Sequence, residues 1–548
     1  MPQRRSTLAL FHHPVFRTLW LATLVSNLGG LIQGVGAGWL MATISPSQDM
    51  VALVQASTTL PVMIFSLASG ALADNFDRRR IMLAAQLFML AVSVLLAFLA
   101  FAGHITPWLL LTFTFLIGCG TALHNPSWQA SVGDIVPRED VAAAISLNSM
   151  SFNLMRSIGP AIGGGIVATA GAAAAFAFNA FSYVALIGAL VSWKPEPRPR
   201  GLPREHFGSA VMAGVRYVSM SPNLIKVMIR GFLFGAFAIS VLALLPVITR
   251  DIIGGGAFVY GVLLGCFGFG AIFGALGNAR IREIFANETI VRFSFAGFAA
   301  CIGVLAVSRS ILLDCLVLLP AGACWVMALS LFNVTVQLST PRWVVGRALA
   351  IYQTATFGGM ALGSWIWGLI SEGYGPETAL VIASMAMIGG VLIGIRQPLP
   401  PFNDLNLDPL NRFSEPELSL DLRSRSGPIM IMVDYQIDHK DIPAFLAAMS
   451  DRRRIRLRDG AQQWALLRDL ENPNIWTETY HVPTWVEYIR HNQRRTQADA
   501  DVAERLLALH RGTEKPRVHR MIERQTVPLK DDTPLKQQHP HHHHPEIP

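Results

Sequence analysis

The stretch Gly70-Ala71-Leu72-Ala73-Asp74 returns further along the chain as Gly274-Ala275-Leu276-Gly277-Asn278, at an offset of 204 residues. Two further landmarks repeat at the same offset, Pro137-Arg138 with Pro341-Arg342 and Gly159 with Gly363. Three separate matches at one offset indicate two related halves that run in the same direction. Parallel halves of this kind form transporters whose substrate site lies midway through the membrane, between the halves.

Long apolar runs surround these landmarks and are separated by short loops. A bilayer core of roughly 30 Å requires about 20 apolar residues per helix. The predicted fold class is therefore an all-α membrane protein with two six-helix halves, 1–193 and 225–396, followed by a small α+β domain. About twelve spans are predicted, near residues 16–42, 50–73, 81–102, 107–132, 142–169, 173–193, 225–249, 257–279, 289–308, 311–336, 345–371 and 377–396.

Charged residues are distributed unevenly along the 548 residues, of which 52% are hydrophobic and 15% are charged. Residues 1–396 carry 23 Lys and Arg against 14 Asp and Glu, whereas the rest of the chain carries 21 against 22. Soluble domains average about 25% charged residues, so the first part is typical of a membrane protein. Its excess cations lie in alternate short loops, which the positive-inside rule places in the cytoplasm with both termini. This distribution argues against nucleic-acid binding.

The cysteines and the N-terminus exclude other classes. All five cysteines lie in apolar runs without ligand spacing, so neither a metal site nor a cofactor is predicted. The N-terminus continues apolar for more than twenty residues without a small-residue cleavage site. It therefore predicts a first spanning helix and not a signal peptide that is removed.

The segment 70–80, GALADNFDRRR, places a glycine four residues before an aspartate and a basic cluster after it. It resembles the signature loop between helices two and three of the major facilitator superfamily, although Asp77 stands where the family usually has glycine. Residues 125–164 resemble the enterobactin-exporter and transmembrane secretion effector branch. In the second half, Asn278 replaces the acid of the signature.

The resemblance covers about residues 10–396 and implies a function. It implies a bacterial inner-membrane exporter that moves a siderophore or a similar amphipathic product by alternating access. Proton coupling is also implied, with His124 and Asp74 as candidates, because the unperturbed pKa of an imidazole is about 6.5. A broad drug pump is the close alternative within the same class.

The signature loop predicts a conformational latch made of Gly70, Asp74, Arg78 and Arg79. The glycine lets a neighbouring helix approach closely. A carboxylate at Asp74 can pair with Arg78 or with a helix N-terminus across the interface between the halves. Such a pair would hold one conformation of a transporter that rocks between two. The alternative is a topology anchor that does not switch.

Arg156 is the outstanding polar residue inside the predicted membrane region. It lies in the fifth span, with Asn148 on the same helix face and Asn153 close by. Ionisable residues at membrane depth are costly and are candidates for function. A guanidinium facing a cavity would bind an anionic or catecholate substrate, whereas one paired to backbone carbonyls would serve packing alone.

Other polar residues in the spans are weaker candidates for the substrate cavity. Most such residues form hydrogen bonds between helices and do not contact a ligand. The set comprises Asn27, Gln33, His124, Trp128, Asn333, Gln337 and Tyr352.

Three segments follow or interrupt the two halves. The linker 194–224 begins basic and Pro-rich, and then spaces Phe207, Val211, Val215 and Val218 as one face of a helix, with Arg216 off that face. This pattern predicts either a helix on the membrane surface or a plain linker. Residues 397–427 predict a Pro-rich linker, and the His-containing tail 527–548 is either native or an appended tag.

The domain 428–526 predicts the element order β-α-β-β-α-β of a ferredoxin-like unit. It resembles small monooxygenase-type domains that pair through their sheets, which implies a homodimer. No nucleophile–base pair is present, although Trp464, Trp476, His481 and Trp485 are candidates to border a pocket. We expect a dimerisation or regulatory module. Its run of arginines from Arg452 to Arg458 predicts either contact with anionic lipid or a solvated helix face.

Two hypotheses from different classes remain open at this point. The first is a transporter of a small molecule in the lipid bilayer, without enzyme activity. The second is a membrane-anchored sensor or enzyme in which residues 428–526 carry the activity and the spans no longer transport.

Overall fold

The computed structural model describes residues 7–137, 140–194, 207–341, 343–399, 407, 410, 413–423 and 425–523, apart from several helix side chains, among them those of Asp74 and Asn153. Two compact units are present. The first contains Met1–Arg200, Ser221–Ser339 and Gly346–Asn403, and so holds both predicted halves together. The second contains Gly201–Met220, Thr340–Val345 and Asp404–Pro548.

Helices make up most of the chain, and several begin as their sequences predict. Proline occupies the first helical position at Pro14, Pro107, Pro222 and Pro376, where its missing N–H costs no hydrogen bond. The helices are α1 (Pro14–Ile44), α2 (Gln48–Asn75), α3 (Arg78–Phe101), α4 (Pro107–Ile135), α5 (Val141–Ser192), α6 (Phe207–Ser219), α7 (Pro222–Val247), α8 (Ala257–Ile284), α9 (Asn287–Val307), α10 (Ile311–Leu338), α11 (Val345–Tyr374), α12 (Pro376–Arg396), α13 (Ile442–Asp459), α14 (Trp485–Gln493) and α15 (Gln497–Leu509).

Within the described residues, ten helices are long and apolar enough to cross a membrane by length and composition. One of them, α5, contains two of the predicted spans. Gly171 breaks it with φ +78° and ψ 171°, a conformation that glycine adopts without steric cost. The break falls between the predicted spans 142–169 and 173–193. Helix α11 lies outside the group of ten and matches the predicted span 345–371, so all twelve predicted spans have a helical counterpart.

The two halves of the first unit meet where α5 crosses α8. Gly164 and Gly261 face each other so closely that a Cβ on Gly164 would lie 2.8 Å from the Cα of Gly261. A Cβ on Gly268 would lie 2.5 Å from the carbonyl oxygen of Arg156. Glycine therefore lets the two helix backbones touch. Within SIGPAIGG, residues 157–164, Gly164 makes this contact with α8, whereas Gly159 and Gly163 face Leu31 and Ile32 of α1.

The second unit contains a four-stranded antiparallel sheet. Its strands are β1 (Ile429–Gln436), β2 (Gln462–Arg468), β3 (Ile475–Val482) and β4 (Arg517–Ile522), in the spatial order β2-β3-β1-β4. With α13, α14 and α15, the sheet has the predicted ferredoxin-like arrangement. The predicted second helix is two helices, because Thr496 and Asp499 form a capping box that starts α15.

The two predicted linkers contain packed segments. In the linker 397–427, Phe413, Leu418 and Leu422 pack against the core of the second unit. Helix α6 forms, but its predicted apolar face is wrong. Val215 is exposed, whereas Ala210, Ala213, Gly214, Tyr217 and Val218 are buried. Small residues and a tyrosine therefore form the buried face of α6. The helix belongs to the compact unit that contains the C-terminal sheet.

Candidate functional site

Arg156 lies at the middle of the first segment of α5, fifteen residues from each end of Val141–Gly171. At 1.5 Å per residue, each end of that segment is about 22 Å away, so the side chain stands near the midplane of the helix bundle. Its backbone contacts Gly268 of α8, where the two halves touch. The residue therefore sits at the interface between the halves.

The guanidinium of Arg156 reaches aromatic rings of the second half. Its central carbon lies 5.9 Å from the ring centre of Phe267 and 5.8 Å from that of Trp325. Trp325 belongs to an aromatic group that includes Phe234 and Phe298. Among the described residues, no carboxylate pairs with Arg156 and no hydrogen bond from its guanidinium is present. Two ring faces of the second half are therefore the contacts that the structure gives this cation.

Gln33, a predicted cavity residue, belongs to a buried network within the first half. Ser93 donates a hydrogen bond of 3.1 Å to the Gln33 side-chain oxygen, and Asn179 also donates to that oxygen. The Asn179 amide donates as well to Tyr183, at 3.0 Å. The network joins α1, α3 and α5, so Gln33 serves packing between helices. The sequence did not predict Asn179 as a member of this network, because a lone asparagine in an apolar run does not indicate its hydrogen-bond partners.

The other predicted cavity residues do not form one cluster. Trp128 is buried in the core of the first half, and His124 is buried beside it in sequence. The hydroxyl of Tyr352 donates to the Leu329 carbonyl, at 3.2 Å. Gln337 donates to Asn333 one turn away, as their shared face predicts. Asn27 and Asn148 are partly buried, and the Asn153 side chain lies outside the described residues.

The predicted latch residues Arg78 and Arg79 contact other helices of their own half. Arg78 donates to the Asp134 carboxylate at 2.7 Å, and Arg79 donates to the carbonyl oxygens of Leu190 and Val191 at 2.8 Å. Asp74 and Gly70 lie in the last turns of α2, but the Asp74 side chain is outside the described residues. The latch therefore stays a prediction.

A set of contacts at the opposite end of the first unit joins the two halves. Glu372, near the end of α11, accepts a hydrogen bond of 2.5 Å from the backbone N–H of Gln48, at the start of α2. Ser371 donates to the Gln48 side chain, also at 2.5 Å. Arg250 donates to the carbonyl oxygens of Ala42 and Ser45. Sequence analysis missed this group, because its members are more than 200 residues apart.

Two further ionisable sites in the second half were also missed. Arg230 is 1% exposed and pairs with Glu288, at 3.3 Å, while Arg292 pairs with the same carboxylate. Asp314, in the first turn of α10, is 1% exposed, and neither carboxylate oxygen has a hydrogen-bond partner among the described residues. The position of Arg230 inside an apolar run was the feature of the sequence that could have indicated this site.

The arginines of α13 correct a prediction for the second unit. Arg452, Arg456 and Arg458 do not form a solvated or lipid-facing row, since three of the five arginines turn inward towards carboxylates. Arg456 and Arg452 lie 3.0 Å and 3.4 Å from the carboxylate of Glu478. Burial alone would raise the pKa of Glu478, but the two guanidinium groups outweigh it and hold the pKa at about 2.

The four residues predicted to border a pocket in the second unit lie on its sheet and in its core. Trp464 donates its indole N–H to Glu478, at 3.1 Å. Trp476 and Trp485 are part of the hydrophobic core. His481 lies on β3, opposite Met430 of β1. The described residues contain no group of three or more His, Cys, Asp or Glu side chains arranged for a metal ion.

Two helical halves that meet at backbone contacts around a mid-depth cation define an alternating-access membrane transporter. The chain belongs to the transmembrane secretion effector family, whose model matches residues 5–526. This confirms the predicted fold class and the resemblance to the major facilitator superfamily. The match extends through the C-terminal domain, beyond the segment from which the resemblance was drawn.

Characterised relatives are transporters. The chain is 24% identical to the staphyloferrin A transporter of Staphylococcus aureus, over 66% of this chain and 90% of the relative. It is 25% identical to the enterobactin exporter EntS of Citrobacter koseri, over 74% and 94%. It is 22% identical to macrolide efflux protein A of Streptococcus pyogenes, over 50% and 70%.

The fold is also similar to that of a solved transporter. The crystal structure of the nucleoside transporter NupG, carrying a D323A substitution, is 11% identical and aligns with a TM-score of 0.58 over 70% of this chain and 99% of that chain. At this identity the likeness concerns the fold alone. The protein is a multi-pass membrane transporter that acts on small molecules, and the alternative of a membrane-anchored enzyme is not favoured.

Proposed function

We propose that the protein exports a small anionic, siderophore-like metabolite, with Arg156 as the contact for its negative group. The observation that carries this proposal is the guanidinium of Arg156, which stands between the two halves without a carboxylate partner among the described residues. A cation at membrane depth is costly unless a counter-charge or water accompanies it. A substrate that supplies the negative charge would remove this cost only while it is bound.

The rings beside Arg156 favour a substrate that also carries aromatic or apolar groups. Phe267 and Trp325 are 2% and 3% exposed and present ring faces to the guanidinium. Ring faces and one cation together suit an amphipathic anion such as a catecholate. The names of the staphyloferrin A and enterobactin relatives support this substrate class.

A drug pump is the second candidate, supported by the likeness to macrolide efflux protein A. Aromatic rings such as Trp325 bind neutral and cationic drugs through their faces and do not require Arg156 for this. The two candidates therefore differ in their dependence on the guanidinium.

We propose an orientation in the bacterial inner membrane with both termini in the cytoplasm. The loops that carry Arg78 to Arg80, Arg280 and Arg282 support it through the positive-inside rule. With this orientation, the contact between Glu372 and Gln48 would lie on the outer side.

Proton coupling is part of the proposal, with three candidate residues. His124 and Asp74 were predicted from the sequence, and Asp314 is added because its buried carboxylate has no hydrogen-bond partner in the described part of the chain. Ionisable groups buried at membrane depth mark proton pathways in many transporters. Release of protons from acidified inverted vesicles on adding substrate would report coupling, and its loss in Asp314→Asn, His124→Gln or Asp74→Asn would identify the residue.

Transport by proteoliposomes tests the role of Arg156. The assay compares a catecholate siderophore, a lipophilic cation and a neutral macrolide in the wild type, Arg156→Ala, Arg156→Lys and the control Arg309→Ala. Arg309 is an exposed cation of the first unit. We expect Arg156→Ala to abolish catecholate transport and Arg156→Lys to retain part of it. Catecholate transport that survives Arg156→Ala, or cation transport as the main activity, would contradict the proposed site.

For the second unit we propose a regulatory and dimerisation role. One face of its sheet carries Met430, Met521 and Leu467, of which Met521 and Leu467 are 48% and 52% exposed. The same face carries polar side chains such as the paired Asp434 and His519, so it offers a surface of mixed character for pairing with a second copy. Native mass spectrometry of the full chain, with Met521→Asp as the disrupting variant and Leu470→Asp as the control on an exposed loop, tests for a homodimer.

A further inference from the structure

A cleft in the second unit lies between helices α13, α14 and α15. Its accessible space is about 20 Å³, which holds one water-sized group. Its cationic lining comes from Arg452 and Arg456 of α13 and from Arg495 between α14 and α15, and its acidic lining comes from Asp459 and Asp499. Leu410, Ile455, Ala500 and Ala503 supply an apolar wall. The cleft is thus small, largely enclosed and cationic on one side.

The carboxylates near this cleft are already paired with other cations. Glu478 is shared by Arg452 and Arg456. Asp459 and Asp499, which also line the cleft, both pair with Arg458, at 2.8 Å each. Arg495 therefore has no carboxylate partner among the described residues.

Arg495 carries a positive charge that has no ion-pair partner in the described part of the chain and that Glu478 compensates only in part. Its guanidinium donates one hydrogen bond, of 2.7 Å, to the side-chain oxygen of Asn492. Burial and then repulsion from Arg456 and Arg452 lower the pKa of Arg495 to about 10, so it still carries its charge at neutral pH. Arg495 is half-buried, and like charges around such a cation are unfavourable unless an anion joins them.

The histidine in the cleft adds no charge of either sign. Arg456 Nη1 lies 3.0 Å from His491 Nε2, and because a guanidinium only donates, this ring nitrogen accepts. Burial and the neighbouring arginines hold the pKa of His491 well below its usual value. The imidazole is therefore neutral, and the cationic excess at the cleft stays with Arg495.

We propose that this cleft binds one small anionic group, and that Arg495 is its principal contact. A carboxylate, a phosphate oxygen or a chloride ion fits both the space and the charge, since each brings a negative group of about one water's size. The guanidinium fork suits bidentate contact with a carboxylate or phosphate. The proposal concerns the second unit alone and does not depend on which substrate the first unit exports.

Hydrogen–deuterium exchange of the full-length protein tests this site. Exchange of peptides that cover residues 485–509 is measured at constant ionic strength while acetate, phosphate or chloride replaces a bulky sulfonate anion that cannot enter the cleft. We expect exchange to slow at least about threefold at saturating anion, because a ligand that binds only the folded state stabilises it. The anion that protects identifies the ligand chemistry.

Two variants make the result specific. Arg495→Gln removes the proposed contact, whereas Arg505→Gln removes an exposed arginine on α15 that pairs with Asp451 at the surface. We expect protection to be lost in the first variant and kept in the second. Absence of protection by all three anions, or equal protection in Arg495→Gln, would overturn the proposal.

The exchange rate of Arg495→Gln in the absence of a small anion distinguishes an arginine that binds an anion from one that serves packing alone. In the sulfonate buffer, we expect residues 485–509 of Arg495→Gln to exchange as slowly as in the wild type or more slowly, because the substitution removes an incompletely compensated charge. An arginine that served packing alone would make the variant exchange faster in every buffer. Faster exchange of that kind would also overturn the proposal.

Discussion

The carboxylate of Glu372 accepts a hydrogen bond from the backbone N–H of Gln48, although the two residues lie in different halves of the transporter. Gln48 is the first residue of α2, where N–H groups have no partner within the helix. A carboxylate at this position satisfies such a group and interacts favourably with the helix dipole. Glu372 thus caps a helix of the other half and holds this end of the transporter closed.

Removal of the Glu372 carboxylate is predicted to open the end of the transporter at which Glu372 contacts Gln48. Spin labels at the exposed residues His104 and Val307, in a background without native cysteines, report the distance between the halves. Loss of a cap costs about 1 kcal/mol, so Glu372→Ala should raise the population of the longer distance about fivefold. The control is Glu377→Ala, whose carboxylate pairs with Arg309 of its own half. Equal distance distributions for Glu372→Ala and wild type would contradict the capping role.

The crossing of α5 and α8 is predicted to tolerate no side chain at Gly164 or Gly261. A Cβ on Gly261 would lie 2.6 Å from the Pro160 carbonyl oxygen. Overpacking of this kind typically costs about 1–3 kcal/mol, so Gly164→Ala and Gly261→Ala should each lower the thermal unfolding temperature and slow export. Gly165→Ala is the matched control, since a Cβ there meets nothing within 4 Å. It should leave stability unchanged or raise it, because alanine is the better helix former.

The ion pairs of Glu478 predict how the second unit responds to acid. Its folded-state pKa of about 2 lies below the ordinary value of 4.5, because Arg456 and Arg452 outweigh the effect of burial. The stabilisation is therefore fully present above about pH 4.5 and is lost as the pH falls towards 2. Pepsin, which is active in this range, should cleave the domain increasingly as the pH drops from 4.5 to 2.

A variant identifies Glu478 as the source of this response. Glu478→Gln should be cleaved faster than wild type at pH 4.5 and should show a weaker dependence on pH, since its side chain does not titrate. Glu471→Gln, at an exposed position in the β2–β3 loop, serves as the control and should match the wild type. If Glu478→Gln kept the full acid response, another carboxylate would be responsible.

Helix α6 is predicted to depend on an aromatic and arginine cluster within the second unit. Arg458 lies 5.5 Å from the ring centre of Tyr217, and Arg494 lies 4.4 Å from that of Trp343. The two rings contact each other edge to face, with centres 5.8 Å apart. Each cation–π contact is worth about 0.5–2 kcal/mol. Trp343→Ala should therefore speed hydrogen exchange in residues 207–219 several-fold.

The control for this prediction is Met212→Ala on the outer face of the same helix. Met212 is 62% exposed, so its removal should leave exchange in α6 unchanged. Equal exchange rates in Trp343→Ala and wild type would show that the ring does not hold the helix.

The helices and the repeat were predictable because they depend on local patterns. The length of each apolar run predicted each membrane span. The positive φ of Gly171 agrees with the predicted boundary between two spans. The depth of Arg156 also followed from counting along one helix. These features need only the residues of a single segment, and the sequence provides them directly.

Features that depend on distant partners were not predictable. Arg456 was expected in solvent or near lipid, but it is buried because Glu478 lies 22 residues away on the neighbouring strand. The cap on Gln48 comes from a carboxylate 324 residues later. A single sequence gives the charge of a residue but not the fold that brings its partner within 3 Å, so such pairs require the structure.

The composition of the second unit has a consequence for gene rearrangement. It includes Gly201–Met220 and Thr340–Val345 as well as Asp404–Pro548, so its parts are interleaved with those of the first unit along the gene. Recombination that transferred only the 3′ end of the gene to another transporter would leave Tyr217 and Trp343 behind. Deletion of that end would leave the buried face of α6 uncovered. An exchange that keeps the second unit intact would therefore have to carry Gly201–Met220 and Thr340–Val345 together with the C-terminal domain.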